Sequence, residues 1–380
     1  MLIGLIAPFA GGALLDGAGR IAIFLLMLSV LIVLHEAGHF VVARLCGVRV
    51  NDFAIGFGPT LLKWTSRRSG TNYRLNLLPL GGYCAMQGED GKTNEAEQQR
   101  EFRAAGEVSP DNFQAKSTLQ RFAIIVAGPI ANFILAFAIL FVAALTFGIA
   151  TGDVTAKIGP LVAGWPAAQA GLQVGDTITA IDGVRYTEGA KIVDKIHHSA
   201  GVPLRITILR DGTERTVTLT PRADKTVGNE GRIGYMPILL YERVGFIEAG
   251  RLAGYGVWKT LGLNLAGLTQ LVSHPSNLAN VSGPIGMERA ASTLQDLGWG
   301  IYLQLAAQIS VALGIFNLLP IPALDGGRAA FIIAEMIRGK PVDPEREAVV
   351  HFTGFAFLMA LMALVAYHDV ANIFAGKGVL

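Results

Sequence analysis

Residues 122–152 carry no charged side chain, nor do residues 297–324, and residues 348–368 hold only His351 and His368. Roughly 20 mainly apolar residues cross a hydrocarbon core about 30 Å thick, so each window predicts a membrane-spanning helix. Few folds accept such segments, because in lipid every backbone polar group must be satisfied internally, which a helix does by itself. A fourth apolar window, 21–45, is interrupted by His35, Glu36, His39 and Arg44. Composition points the same way: 52% of the 380 residues are hydrophobic, 16% are charged, and the mean hydropathy is +0.46. A net charge of +2, with no basic run interleaved with aromatics, argues against nucleic acid as a partner. Cys46 and Cys84 suit neither a disulfide framework nor a cysteine-based metal site. Residues 1–15 are apolar but lack the basic start of a signal peptide, and are expected to lead uncleaved into the first span.

Lys and Arg in short loops stay preferentially on the cytoplasmic side. Arg44, Arg49, Lys63, Arg67, Arg68 and Arg74 follow the first span, while Arg328, Arg338, Lys340 and Arg346 follow the third. Both stretches are therefore expected inside, and residues 153–296 outside together with both termini. The expected fold is an α-helical polytopic membrane protein of about four transmembrane helices with an inserted α+β PDZ-like domain. Residues 1–46 would hold the lead-in and first span, 47–120 a cytoplasmic β-rich loop and connection, and 121–150 the second span. The PDZ-like domain would cover 153–238 and a membrane-surface amphipathic segment 244–296. The third span would cover 297–327, a cytoplasmic loop 328–347, and the fourth span with the C-terminus 348–376. Within 51–87, strand-like pieces are punctuated by Gly56, Gly58, Pro59, Gly70, Gly81 and Gly82, whereas 88–118 reads as a polar connection. The outer domain carries Pro-Ala-Ala-Gln-Ala-Gly-Leu-Gln-Val-Gly-Asp from Pro166 to Asp176, a string that resembles PDZ modules. Its turns are Asp182-Gly183 and Asp211-Gly212, and residues 231–236 suit a strand-edge loop that takes a terminal carboxylate.

His35-Glu36-Ala37-Gly38-His39 is an HExxH motif. On a helix, the i, i+4 spacing sets both imidazoles on one face, one turn apart, where two nitrogens can grip one metal. Glu36 would stand near the water that such a metal activates, as general base. Three ionisable groups inside an apolar span are costly unless paired or metal-bound, and intramembrane ionisable residues mark function. A catalytic zinc needs a third protein ligand and an open position. No histidine follows within the next dozen residues, and His197, His198 and His274 fall in the outer loop. The third span ends near the same depth as the motif, in a stretch from Asn317 to Gly327 that contains Pro320, Pro322 and Asp325. Prolines break helices, and irregular backbone at membrane depth is tolerated where it lines a cavity or is buried in protein. Asp325 is the leading candidate for the third ligand, and His351 is the alternative.

With these residues in view, the chain resembles the site-2 protease family, in particular the bacterial group of the regulator-of-sigma-E protease. The resemblance covers nearly the whole chain. It rests on His35 to His39, on Gly128-Pro129-Ile-Ala-Asn132, on Ser282-Gly-Pro-Ile-Gly286 and on Asn317 through Gly327. It implies an intramembrane zinc metalloprotease that performs regulated intramembrane proteolysis, with Zn2+ held by His35, His39 and Asp325 and with Glu36 as base. It also implies that Asn317 helps hold unwound substrate. Implied substrates are single-span membrane proteins, notably pre-cleaved anti-sigma factors, and sometimes remnant signal peptides. The implied location is the bacterial inner membrane, among membrane lipid, with the PDZ-like domain in the periplasm. Two departures stand out: one recognisable PDZ module where the best-studied relatives carry two, and Ala312 where they often carry a second asparagine. A proton-coupled transporter would account for buried His and Glu but not for their HExxH order. A catalytically dead PDZ scaffold would account for the outer domain but not for complete HExxH and Leu-Asp-Gly elements.

Overall fold

The computed structural model describes residues 17–89, 109–162, 164–224, 228–274, 284–296, 298–340, 342 and 344–374. The lead-in expected over 1–15, residues 90–108 of the polar connection, Ser282, Gly283 and residues 375–376 lie outside these. Four helices are long and apolar enough to cross a bilayer, over Ala18–Leu45, Thr118–Phe147, Trp299–Leu318 and Arg346–Tyr367, and the chain is an integral membrane protein.

The first helix, α1 (Gly17–Leu45), is apolar over most of its length, as a span must be, and it has an inner face. Leu31, His35, His39 and Ala43 recur every four residues and are buried, while Leu26, Val30, Leu34 and Val41 are exposed. Both motif histidines thus sit on the packed stripe. Strands β1 (Val50–Thr65) and β2 (Asn72–Met86) pair antiparallel, with Trp64 opposite Tyr73 and Phe53 opposite Cys84. The second span, α2 (Thr118–Phe147), likewise keeps one packed stripe, with Arg121, Ile125, Asn132 and Ala136 buried at spacings of four, seven and four residues. Val50, Cys84 and Met86 of the strands join Ala43 of α1 and Ile124 of α2 in one core, which fixes the hairpin against the end of α1.

Residues 143–249 make up most of the smaller of two compact units. In chain order it contains β3 (Ile149–Leu161), α3 (Pro166–Gln169), β4 (Thr177–Ile181), β5 (Val184–Arg185), α4 (Gly189–His197), β6 (Leu204–Arg210), β7 (Thr213–Leu219), β8 (Arg222–Asp224), β9 (Glu230–Arg232) and β10 (Tyr235–Glu242). The main sheet runs β10-β3-β4-β6-β7, with β5 paired to β4. On β6, Leu204, Ile206 and Ile208 point into a core that also holds Ile178, Ile192 and Ile233. Asp182, Gly183, Asp211 and Gly212 all have positive φ, the geometry that two-residue hairpin turns of this hand require. Asp176, which closes the PDZ-like string, is buried and takes two hydrogen bonds of 2.7 Å from the Arg210 guanidinium. That pairing holds its carboxyl below the usual carboxylate range and gives it a structural role. The sheet continues to Glu242, past the expected end at 238, because β10 finds its partner in β3.

The remaining helices are α5 (Phe246–Ser273), α6 (Pro284–Asp296), α7 (Trp299–Leu318), α8 (Asp325–Arg338) and α9 (Pro344–Phe374). Val257, Leu261 and Leu268 of α5 pack against a cluster of Ala136 from α2 with Ala307, Val311 and Ile315 from α7, while Tyr255, Trp258 and Leu263 stay exposed. The third span stops at Leu318, and residues 319–324 leave helical geometry before α8 begins at Asp325. Helix α8 occupies much of the stretch read from sequence as a loop. Ala329 and Ile332 turn into the core shared with α1, α2 and the hairpin. No residue in the most hydropathic window of α9 is buried, so nearly its whole circumference is available to lipid.

Candidate metal centre

Helix α1 presents the two imidazoles edge to face, with ring centroids 4.9 Å apart. Their Nε2 atoms are 3.3 Å from each other. Asp325 Oδ2 lies 3.1 Å from Nε2 of His35 and 3.3 Å from Nε2 of His39. Among the described residues this is the group of His, Cys, Asp or Glu side chains whose ligand atoms converge within 4.8 Å. Three lone-pair atoms gathered this closely repel one another unless a cation or proton sits among them. Among the described residues, the buried Asp325 Oδ2 has no hydrogen-bond donor, which leaves its lone pairs available to a cation shared with the two imidazoles. Two nitrogens and one carboxylate oxygen, with cavity on one side, form a donor set that suits a catalytic metal with an open position.

The second nitrogen of each ring is also held. His39 Nδ1 lies 2.8 Å from the Ile124 carbonyl oxygen, which can only accept, so Nδ1 carries the proton and Nε2 is left as a ligand. His35 Nδ1 lies 3.1 Å from the side-chain amide of Asn132, a residue with no exposed surface. With the amide oxygen toward the ring, Nδ1 donates to it and His35 adopts the same tautomer; that orientation also gives the otherwise unpartnered Asn132 Oδ1 its donor. Ser310 Oγ in turn donates to the Asn132 main-chain carbonyl, tying α7 to α2 beside the site. Partners of this kind orient metal ligands, and their loss typically lowers metal affinity about 10- to 100-fold. Asn132→Leu is expected to show a loss of that size in chelator-competition titration, whereas Asn132→Asp, which keeps an acceptor, is expected to retain most of the affinity.

Close helix packing makes room for the rings. A β-carbon on Gly128 would stand 2.2 Å from His39 Nε2, and one on Gly38 would stand 2.4 Å from the Ala127 carbonyl oxygen. Small residues let α1 and α2 approach at backbone distance, as spans commonly do. Beside the cluster lies a cavity of about 210 Å³ lined by His35, Glu36, Asn132, Asn317, Leu324 and Asp325 among others. Glu36 is therefore at the cavity without belonging to the converging ligand atoms, and Asn317, on the last turn of α7, faces the same space.

The structure thus gathers all five residues singled out from sequence: His35, Glu36, His39, Asn317 and Asp325. His351 is not in the cluster, and its Nδ1 instead accepts a hydrogen bond from the Ala323 amide. The part played by Asn132 escaped sequence reasoning, although its signal was there: an amide side chain in an otherwise uncharged span must find a partner.

Residues 23–361 match the profile of peptidase family M50. The chain is 32% identical to zinc metalloprotease RasP of Geobacillus kaustophilus, over 92% of this chain and 97% of that one. It is 31% identical to the regulator of sigma-W protease RasP of Bacillus subtilis, over 92% and 98%. A putative zinc metalloprotease of Clostridium acetobutylicum is 34% identical over 92% and 97%. Among solved structures, the PDZ domain of an SdrC-like protein from Listeria monocytogenes matches 22% of this chain and 85% of its own, at 26% identity and a TM-score of 0.20. A match across nearly the whole chain, and relatives of similar identity along their full length, place this protein in peptidase family M50.

Proposed function

We propose that the chain is a zinc-dependent intramembrane endopeptidase that cuts the spanning segment of single-span membrane proteins. The observation that carries this reading is the convergence of His35, His39 and Asp325 on one point inside an apolar helix bundle, with Glu36 and Asn317 on the adjoining cavity. His35, His39 and Asp325 would hold the metal. Zinc, when bound there, supplies Lewis-acid chemistry, lowering the pKa of water and polarising a carbonyl. Glu36 takes the proton from the attacking water and delivers it to the leaving amine. Asn317 offers an amide that can hydrogen-bond the exposed backbone of a substrate strand, whose helix must unwind before a peptide carbonyl can reach the cavity. The surrounding apolar bundle limits bulk water and strengthens each of these polar contacts.

The substrate class proposed is the anti-sigma type, trimmed beforehand by another protease, with remnant signal peptides as a second source. The relative from Bacillus subtilis, a regulator of sigma-W protease, supports that choice by its name. The membrane proposed is the bacterial inner membrane, with the Lys- and Arg-rich stretches inside and the PDZ-like domain in the periplasm. That domain carries a groove of about 410 Å³ lined by Trp165, Val193, Ile196, Gly234, Tyr235 and Met236 among others. Gly234 has φ +80, and a β-carbon there would stand 2.2 Å from Trp165, so the groove wall depends on glycine. An apolar groove beside a strand suits a peptide end laid in extended form, which would let the domain select trimmed substrates.

The decisive test uses purified protein in liposomes with a single-span substrate. One zinc per chain is expected, together with cleavage inside the substrate's apolar segment that a chelator stops and added zinc restores. Cleavage confined to the soluble flank, or undiminished by full zinc removal, would overturn the reading. Excising residues 149–242, the whole span from β3 through β10, is expected to leave zinc binding intact and to let untrimmed substrate be cut. If the excised form kept its preference for trimmed substrate, selection would reside elsewhere.

A further inference from the structure

The segment that delivers Asp325 is irregular and short of donors. Pro320 and Pro322 have no N–H, the Ile321 amide donates to Leu319 O, and the Leu324 amide donates to Ile321 O. The Leu319 amide donates to Phe316 O of the preceding turn, whereas the Ala323 amide reaches a residue distant in sequence, at 2.8 Å from His351 Nδ1 on α9. Ala323 has φ +78, a left-handed conformation that a residue with a β-carbon adopts only when its surroundings hold it there. Two residues later comes the carboxylate that meets His35 and His39.

Helix α9 is shaped for this contact. His351 and Gly354 are three residues apart on one face, and a β-carbon on Gly354 would stand 2.4 Å from Pro322 Cβ and 2.6 Å from its carbonyl oxygen. The helix backbone therefore presses on the segment while the imidazole reaches beneath Ala323. Phe331 of α8 packs against the ring, with centroids 5.6 Å apart and planes tilted by 50°. Because Nδ1 accepts a hydrogen bond, it bears no proton, and His351 is the neutral Nε2–H tautomer. Its other nitrogen is 3.8 Å from Glu347 Oε1, beyond direct hydrogen bonding.

We propose that His351 is a positioning residue: its Nδ1 lone pair fixes Ala323 in the left-handed conformation and thereby aims Asp325 at the two α1 histidines. The inference rests on the metal-site reading given above. It assigns His351 a part in building the site without touching metal or substrate. It also explains why a helix with almost no buried surface carries a histidine on its one packed face.

Side-chain length supplies the test. The Oδ1 of Asn stands as many bonds from the backbone as Nδ1 of His, whereas the Oε1 of Gln reaches one bond further. The full-length chain in detergent is titrated with Zn2+ against a chromophoric chelator, for wild type, His351→Asn, His351→Gln and His351→Leu, with thermal melting of each metal-free form alongside. Gln and Leu are expected to weaken Zn2+ binding about 10- to 100-fold, and Asn to stay within about threefold of wild type. A purely structural histidine would lower the metal-free melting temperature without this split between Asn and Gln. Wild-type affinity in both Gln and Leu, or an Asn variant as weak as Leu, overturns the inference while leaving the metal site standing. Absence of Zn2+ binding by wild type overturns the metal-site reading itself.

Discussion

Glu36→Gln is expected to lower cleavage at least about 10³-fold while the protein retains its full complement of zinc. The amide keeps the shape and hydrogen-bonding reach of the carboxylate but cannot take a proton, so only the acid–base step is removed. The zinc should stay because Glu36 lies outside the three converging ligand atoms, on the wall of the cavity they share. Packing should hardly change, since Glu36 and Gln differ by one heavy-atom type. A β-carbon on Gly82 of β2 would stand 3.5 Å from Glu36 Cγ, so the hairpin passes close beside this side chain. Larger replacements would disturb the strand as well as the chemistry, which is why Gln is the informative change. Metal analysis and substrate cleavage on one preparation decide the matter: activity within tenfold of wild type would remove Glu36 from the role of base.

Asp325→Asn is expected to act one step earlier, on the metal. A neutral amide oxygen is a far poorer partner for a divalent cation than a carboxylate, and in a site poor in water the lost charge is weakly compensated. Affinity should fall about 10²-fold or more, equivalent to about 2.7 kcal/mol, and cleavage should fall with it at ordinary zinc concentrations. Raising free zinc should recover part of the activity, a response Glu36→Gln should lack. The contrast separates ligand from base without a new structure. A variant that bound zinc as tightly as wild type would mean that Asp325, although 3.1 Å from His35 Nε2 and 3.3 Å from His39 Nε2, contributes nothing to the metal.

Much of the architecture was legible because membranes enforce simple rules. Windows without charge became α2, α7 and α9, and the interrupted window became α1. The sheet domain announced itself through Asp-Gly turns and alternating strands, since those signals are local. The HExxH pair was legible for the same reason: one helical turn fixes the spacing of His35 and His39 whatever surrounds them. Asp325 could be nominated from predicted depth, which is a coarser guide. The pairing of Asn132 with His35 and of Ile124 with His39 was out of reach, because which atoms meet the second ring nitrogens depends on the register of α2 against α1. The role of His351 was hidden more deeply. Histidine in a span suggests a ligand, and only the path of residues 319–324 shows it serving a main-chain amide instead. Helix α8 was not foreseen, because the basic residues of 328–347 were read only for the side of the membrane they favour, whereas Ala329 and Ile332 supply part of a core.

The ligand atoms come from α1, near the beginning of the chain, and from the first residue of α8, near its end. A cation held among them would act as a clasp across a very long loop, and such closures remove more freedom from the unfolded chain the longer the loop. Metal binding would then be partly folding free energy: at a free concentration about 1,000 times the dissociation constant, it adds about 4.1 kcal/mol to stability. A chain made when zinc is scarce would be looser at the junction of α7 and α8 as well as inactive, and more readily destroyed by the cell's quality control. The abundance of this protein would thus follow the supply of its metal, a form of control that needs no regulator and is written into which two helices share the ion.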